Sequence, residues 1–146
     1  KTAKRTSDRT KEISEVIADE KEKLGALLKL RLATRDSRLT RIAFHSPCSL
    51  QHGLQIRGQV EALLMAAGVE LTPVPDSHLW CGSAGTYSIL QPELSQKLLR
   101  NKVEALESGK PTMLATANIG CLTHIQSGSD LPVRHWIEVL DERLNN

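Results

Sequence analysis

An α/β fold, three-layered and Rossmann-like in outline with a short parallel sheet between helices, is what this chain predicts. Three observations carry that expectation: short apolar runs alternate with longer segments of helical spacing, glycines and prolines punctuate the alternation, and the 146 residues suit one domain. Parallel strands joined through helices need right-handed crossovers, which places helices against both faces of the sheet.

The first residues, "KTAKRTSDRT", are polar and predict a frayed start. "KEISEVIADEKEKLGALLKL" then sets Ile13, Val16, Ile17, Leu24, Leu27 and Leu28 at helical spacing, a leading helix with a break expected near Gly25. After the polar "ATRDSRLT", the run "RIAFHSP" reads as the first strand, ended by Pro47 and followed at once by Cys48. "IRGQVEALLMAAG" is the next helix, with Val60, Leu63, Leu64 and Ala67 on one face and Gly68 as its stop. "VELTPV" supplies a second strand, leading through "PDSH" into "HLWCGSAGTY". In "QPELSQKLLRNKVEALESG", Pro92 suits a first turn, Leu94, Leu98, Val103 and Leu106 form an apolar stripe, and Gly109 closes the helix. "MLATA" makes the third strand, and "VRHWIEVLDERL" a last helix with Val133, Trp136, Ile137 and Leu140 turned inward. The expected division is a polar segment with the leading helix over 1–40, a linker from an upstream part, and a cysteine-rich domain over 41–146.

Composition narrows the function classes. A formal charge of +2, with basic residues interleaved among acidic ones, argues against nucleic acid as the partner. Three cysteines cannot pair completely, so free or metal-bound thiols in a reducing compartment fit better than a secreted disulfide framework. No apolar run reaches the roughly 18 residues of a membrane span, and the start carries no signal peptide. The absent initiator Met suggests a piece of a longer protein.

The cysteines follow the three strands: Cys48 the first, Cys81 the loop after the second, Cys121 the third. In a parallel sheet all three emerge at the carboxyl edge, where open α/β folds bind ligands. Convergent thiolates make a soft-metal site, and His124 in "CLTH" adds an imidazole at a workable spacing, so Cys48, Cys81, Cys121 and His124 are a candidate tetrahedral set for zinc or iron–sulfur ligation. Free cysteine also behaves as a small buried hydrophobe, and that alternative stands beside the metal site. His45 and His52 flank Cys48 and His78 precedes Cys81; each could ligate or hydrogen-bond behind the ligands, and Tyr87 and His135 could do the latter. "GSAG" lacks a dinucleotide fingerprint, so Gly82 and Gly85 line the cofactor loop by backbone conformation or close approach rather than by cradling phosphate.

The blocks "HSPCSLQHG", "HLWCGSAGTYSILQPELS", "ANIGCLTHIQSG" and "PVRHWIEVL" together resemble the carboxyl-terminal cysteine-rich domain of glycolate oxidase iron–sulfur subunits. That is a branch of the wider CCG family, which includes heterodisulfide reductase subunits and the iron–sulfur subunits of lactate and anaerobic glycerol-3-phosphate oxidation. The resemblance runs in order from about Ile42 to Leu140. It implies an electron-transfer subunit of a flavoprotein complex that oxidises glycolate to glyoxylate, cytoplasmic or peripheral at the inner membrane. The parent subunit would carry [4Fe-4S] centres upstream, FAD would sit on partner subunits, and electrons would leave to a quinone or another acceptor. No catalysis is expected of this segment alone. The family motif is a cysteine, then Cys-Cys-Gly, then Cys-x-x-Cys. Here Cys48 fills the first position, Trp80 and Cys81 the pair, and Cys121 with His124 the last. An indole N–H only donates, so Trp80 cannot replace a thiolate. That departure keeps two further readings open: a structural zinc domain, and a metal-free domain for subunit interaction.

Overall fold

A computed structural model describes residues 2–32 and 40–145. Four strands, β1 (Arg41–His45), β2 (Glu70–Leu71), β3 (Met113–Thr116) and β4 (Val133–His135), form an all-parallel sheet in the order β2-β1-β3-β4. The α/β layering expected from the sequence is what the chain adopts.

Strand alternation divides the interior. Ile42 and Phe44 of β1 and Ala115 of β3 face a first core with Leu28, Val60, Leu64, Trp136 and Leu140. Ala43 and Leu114 face a second core with Leu99, Val103, Leu106, Ile125 and two of the three cysteines, Cys81 and Cys121. The first layer is built from α2 (Ile13–Asp19), α3 (Lys21–Leu32), α4 (Gln59–Ala66) and α8 (Trp136–Asn145). The second comes from α6 (Pro92–Glu107) and α7 (Ile119–Gln126). Among the described residues no helix is long and apolar enough to cross a membrane.

The differences from the sequence reading have local causes. The polar start is not frayed: Thr2–Arg9 forms a helix, α1, exposed from Ala3 to Arg9. The leading helix breaks at Glu20 rather than near Gly25, because Glu20 leaves helical geometry at φ −96°, ψ 14°, while Gly25 sits inside α3. A capping box between Glu12 and Glu15 starts α2. The second helix begins only at Gln59, since Gly58 has φ 74°, a left-handed turn that a side chain would strain. The second strand shortens to Glu70–Leu71, because Pro73 and Pro75 soon follow and neither can donate to a ladder. "VRHWIEVLDERL" is not one helix: Val133–His135 pairs with β3 and the helix starts at Trp136. A helix that periodicity had not signalled, α7, follows β3, with Asn118 as its cap. A short helix, α5 (Tyr87–Leu90), precedes α6.

Candidate metal centre

All four strands run the same way, so their carboxyl ends share one edge, and the loops leaving that edge carry the cysteines. Cys48 follows β1 and leads a π-helical turn, Ser49–Gly53, in which the Leu50 and Gln51 amides donate to the Pro47 carbonyl at 3.0 Å each. Gln51, buried, donates from Nε2 to the Ser46 carbonyl at 2.9 Å and fixes the same turn from its side chain.

Cys121 lies in the first turn of α7. The Asn118 carboxamide oxygen accepts from the Gly120 amide at 2.9 Å and the Cys121 amide at 3.2 Å, so the cap that starts the helix also orients the thiol. Cys81 arrives on a long irregular loop that is pinned to α6 at two points. Ser95, fully buried, donates its hydroxyl to the Gly82 carbonyl at 2.8 Å. Gly82 has φ 95°, and a Cβ there would stand 2.6 Å from the Ser95 carbonyl oxygen, so only glycine permits this approach. Lys102, also buried, donates from Nζ to the carbonyls of Asp76 at 3.1 Å and Ser77 at 3.4 Å, in the stretch of loop just before the thiol.

The Cys81 and Cys121 sulfurs come to rest 3.5 Å apart. The Ser83 hydroxyl lies 3.3 Å from the first and 3.8 Å from the second. His45 joins them: it shares the face of Ala43 along β1, and one of its ring nitrogens and both sulfurs all lie within 4.8 Å of one another. His45 is 2% exposed, and neither Nδ1 nor Nε2 meets an oxygen or nitrogen partner in the described structure; the polar group beside it is the Cys81 thiol. Burying an imidazole with no oxygen or nitrogen partner costs free energy that a bound ion would offset. Thr116, paired with His45 in register, also has a buried hydroxyl without a partner.

The thiols are strongly coupled. A hydrogen bond from Cys121 holds Cys81 well below the ordinary thiol range, against its burial and helped by His45 and Ser83. The same contact, with burial, holds Cys121 above that range. Burial first, then the charge of Cys81, raises Cys48. Burial lowers Lys102, while the charges of Cys81, Cys48 and Asp76 oppose the shift.

A cavity of about 330 Å³ opens beside the pair, lined by Cys48, Trp80, Cys81, Ser83, Asn118 and Cys121 among others. Cys48 thus shares the cavity wall but lies outside the group of three donor atoms. His124 points elsewhere: its Nε2 is 3.3 Å from the Ser95 hydroxyl and packs behind Gly82. His52 and His78 meet away from the thiols, on a separate hollow with Leu79, Trp80 and Leu98, His52 Nε2 lying 3.4 Å from the His78 carbonyl oxygen. His135 Nδ1 accepts from the Ile137 amide at 3.4 Å at the start of α8. Tyr87 opens α5, its amide donating to Ala84 at 2.8 Å, and Gly85, at φ 50°, has open space around it.

Ser83, Ser95 and Lys102 were not singled out in the sequence. Ser95 and Lys102 occupy the buried face of α6 together with Leu99, Val103 and Leu106, so polar residues on an apolar stripe were the available signal. Ser83 stood two residues from a cysteine in a glycine-rich loop.

The fold and site together define a class: a parallel α/β domain that gathers cysteines at the carboxyl edge of its sheet, where they form a candidate soft-metal site. The profile of the cysteine-rich domain family, CCG, matches residues 42–126, and the chain belongs to that family. It is 48% identical over 138 residues to the "Glycolate oxidase iron-sulfur subunit" of Escherichia coli (strain K12), covering 94% of this chain and 33% of that protein. It is 30% identical over 149 residues to "Lactate utilization protein A" of Geobacillus sp. (strain WCH70) and 29% identical over 149 to that of Anoxybacillus flavithermus, covering 97% of this chain and 58% of each. The chain therefore spans about a third of the first relative and under two thirds of the others.

An iron–sulfur cubane can be tested against these residues. Each ligand thiolate of a cubane sits on its own iron, so ligand sulfurs stand much farther apart than across one ion. Around one tetrahedral zinc, bonds of about 2.3 Å put sulfurs about 3.8 Å apart. The observed 3.5 Å matches one ion, and the residue before Cys81 is Trp80, which offers no thiolate. The described donor set does not fit a four-iron cluster.

Proposed function

We propose that this chain is the metal-bearing cysteine-rich domain of an iron–sulfur electron-transfer subunit in a complex that oxidises glycolate to glyoxylate. The observation that carries the reading is the buried Cys81–Cys121 pair with a buried imidazole beside it, in a chain 48% identical to a glycolate oxidase iron–sulfur subunit. In this proposal [4Fe-4S] centres belong to other parts of the parent subunit and FAD to partner flavoprotein subunits. Electrons pass on to a quinone or another acceptor, in the cytoplasm or at the inner membrane surface. This segment has no catalytic residue of its own; it contributes a metal site and a surface for assembly.

Cys81→Ser and Cys121→Ser in the full-length parent test this. The expected result is that the variants still co-purify with the flavoprotein while glycolate-dependent reduction of a quinone analogue falls at least about tenfold. Unchanged turnover in both would overturn the reading.

Trp80 favours a second reading, in which the site serves structure and docking rather than relay. The side chain is 53% exposed on the wall of the cavity, where it offers an apolar surface instead of a thiolate. Trp80→Cys separates the two: iron and acid-labile sulfide gained only by that variant would mark a cluster position lost here, and supports the structural role.

A further inference from the structure

We infer that His45, Cys81 and Cys121 together hold a single divalent transition-metal ion, zinc or ferrous iron, in a mixed imidazole and thiolate site, with its fourth position left to a donor from the cavity side. The inference rests on the metal-bearing reading above and specifies the ion count and the ligands, which that reading leaves open.

Three independent observations converge on it. The first is distance: two sulfurs 3.5 Å apart and an imidazole nitrogen within 4.8 Å of both are spaced for one ion and too close for separate irons. The second is the buried imidazole. His45 is fixed at the end of a central strand, 2% exposed, with no oxygen or nitrogen partner for either ring nitrogen and the Cys81 thiol as its polar neighbour. The third is support. Asn118 fixes the Cys121 backbone, while Ser95 and Lys102 clamp the loop that delivers Cys81, and the donors therefore need little reorganisation to bind. Two thiolates and one neutral imidazole are a borderline-soft set, suited to zinc or iron rather than to magnesium or calcium.

His124 provides the control. It lies in the same region but is held toward Ser95 and the back of Gly82, outside the donor group. The chain, purified anaerobically, is assayed for iron, zinc and acid-labile sulfide. The metal-free protein is then titrated with cobalt(II) beside His45→Gln and His124→Gln. Far-ultraviolet circular dichroism and thermal midpoints of the metal-free variants confirm folding. The expected result is one metal per chain without sulfide, and a cobalt spectrum with four-coordinate ligand-field bands and thiolate charge transfer. Cobalt affinity should fall about 100-fold or more in His45→Gln and change less than about threefold in His124→Gln. Four irons with sulfide would overturn the single ion while leaving the metal-bearing reading intact. One metal lost in His124→Gln but kept in His45→Gln would overturn the ligand assignment. No metal in any protein would overturn both readings.

Discussion

The two faces of the sheet are built from the same strands but to different ends. The layer of α2, α3, α4 and α8 closes over Ile42, Phe44 and Ala115 with aliphatic side chains and one tryptophan. The layer of α6 and α7 closes over Ala43 and Leu114 with two thiols in its core, and it buries Ser95 and Lys102 at their edge. Alternation along β1 decides which face receives His45, so one residue of register separates a packing face from a metal-binding face. The first face supplies stability and the second spends some of it to hold polar groups in place.

If that division is right, the largest effect on folding lies far from the thiols. Trp136 is fully buried in the first core, and Trp136→Ala leaves a large cavity there. We expect a loss of about 3–5 kcal/mol in urea unfolding. Cobalt affinity of the still-folded fraction should remain within about threefold of the parent chain. A loss below about 1 kcal/mol would break the comparison, because the first face would then not be the source of stability.

Gly82→Ala tests the second face where it is least tolerant. The new methyl would stand 2.6 Å from the Ser95 carbonyl and 3.2 Å from Leu98 Cβ, at a φ of 95°. The loop must shift, at a cost of about 1–3 kcal/mol. Cys81 moves with it, so metal affinity should fall by about tenfold or more, in contrast to Trp136→Ala. Equal affinity in the parent and Gly82→Ala chains would show that the clamp does not position the thiol.

Much of the first face was legible in the sequence and less of the second. Helical spacing marked Val60, Leu63 and Leu64, and the run "RIAFH" marked β1, because repeated apolar burial leaves a period. β4 has three residues directly before Trp136, and helical spacing from Val133 to Ile137 to Leu140 concealed it. α7 was hidden because its eight residues bury only Cys121 and Ile125, too few for a stripe, although Asn118 was a cap in plain view. The cysteines' shared edge followed from strand order. That His45 rather than His124 stands by the thiols follows from a tertiary pairing: β1 beside β3 sets His45 opposite Thr116, which no local spacing encodes.

Lys102 gives a smaller and pH-dependent effect. Burial lowers its pKa below the ordinary 10.5, so between the folded value and 10.5 the unfolded chain binds more protons than the folded one. Stability then rises with pH across that window, and below it the cost of burying the cation is present in full. Lys102→Met removes this contribution but leaves the Asp76 and Ser77 carbonyls without their donor. These terms oppose, and we expect a net change within about 1 kcal/mol at neutral pH. The stability difference, Lys102 chain minus variant, should grow more positive as pH rises toward 10.5 in guanidinium unfolding curves. A flat difference would show that the ammonium carries no burial penalty.

The smallest effect belongs to the amino edge of the sheet, opposite the thiols. Arg41 Nε donates to Glu70 Oε1 at 3.1 Å across the β1–β2 register pair, with the two side chains 42% and 46% exposed. At that exposure water screens the pair and ordering two long side chains offsets the attraction. Arg41 also keeps other partners, donating from its Nη atoms to the carbonyls of Gly109 at 2.9 Å and Lys110 at 3.2 Å. Glu70→Gln therefore leaves the guanidinium anchored and removes only an exposed attraction, for which we expect about 0.5 kcal/mol or less in urea unfolding and no change in cobalt affinity. A loss above about 1 kcal/mol would mean that this pair, rather than the apolar core beneath it, holds the short β2 strand in register, since Glu70–Leu71 offers only two residues of ladder.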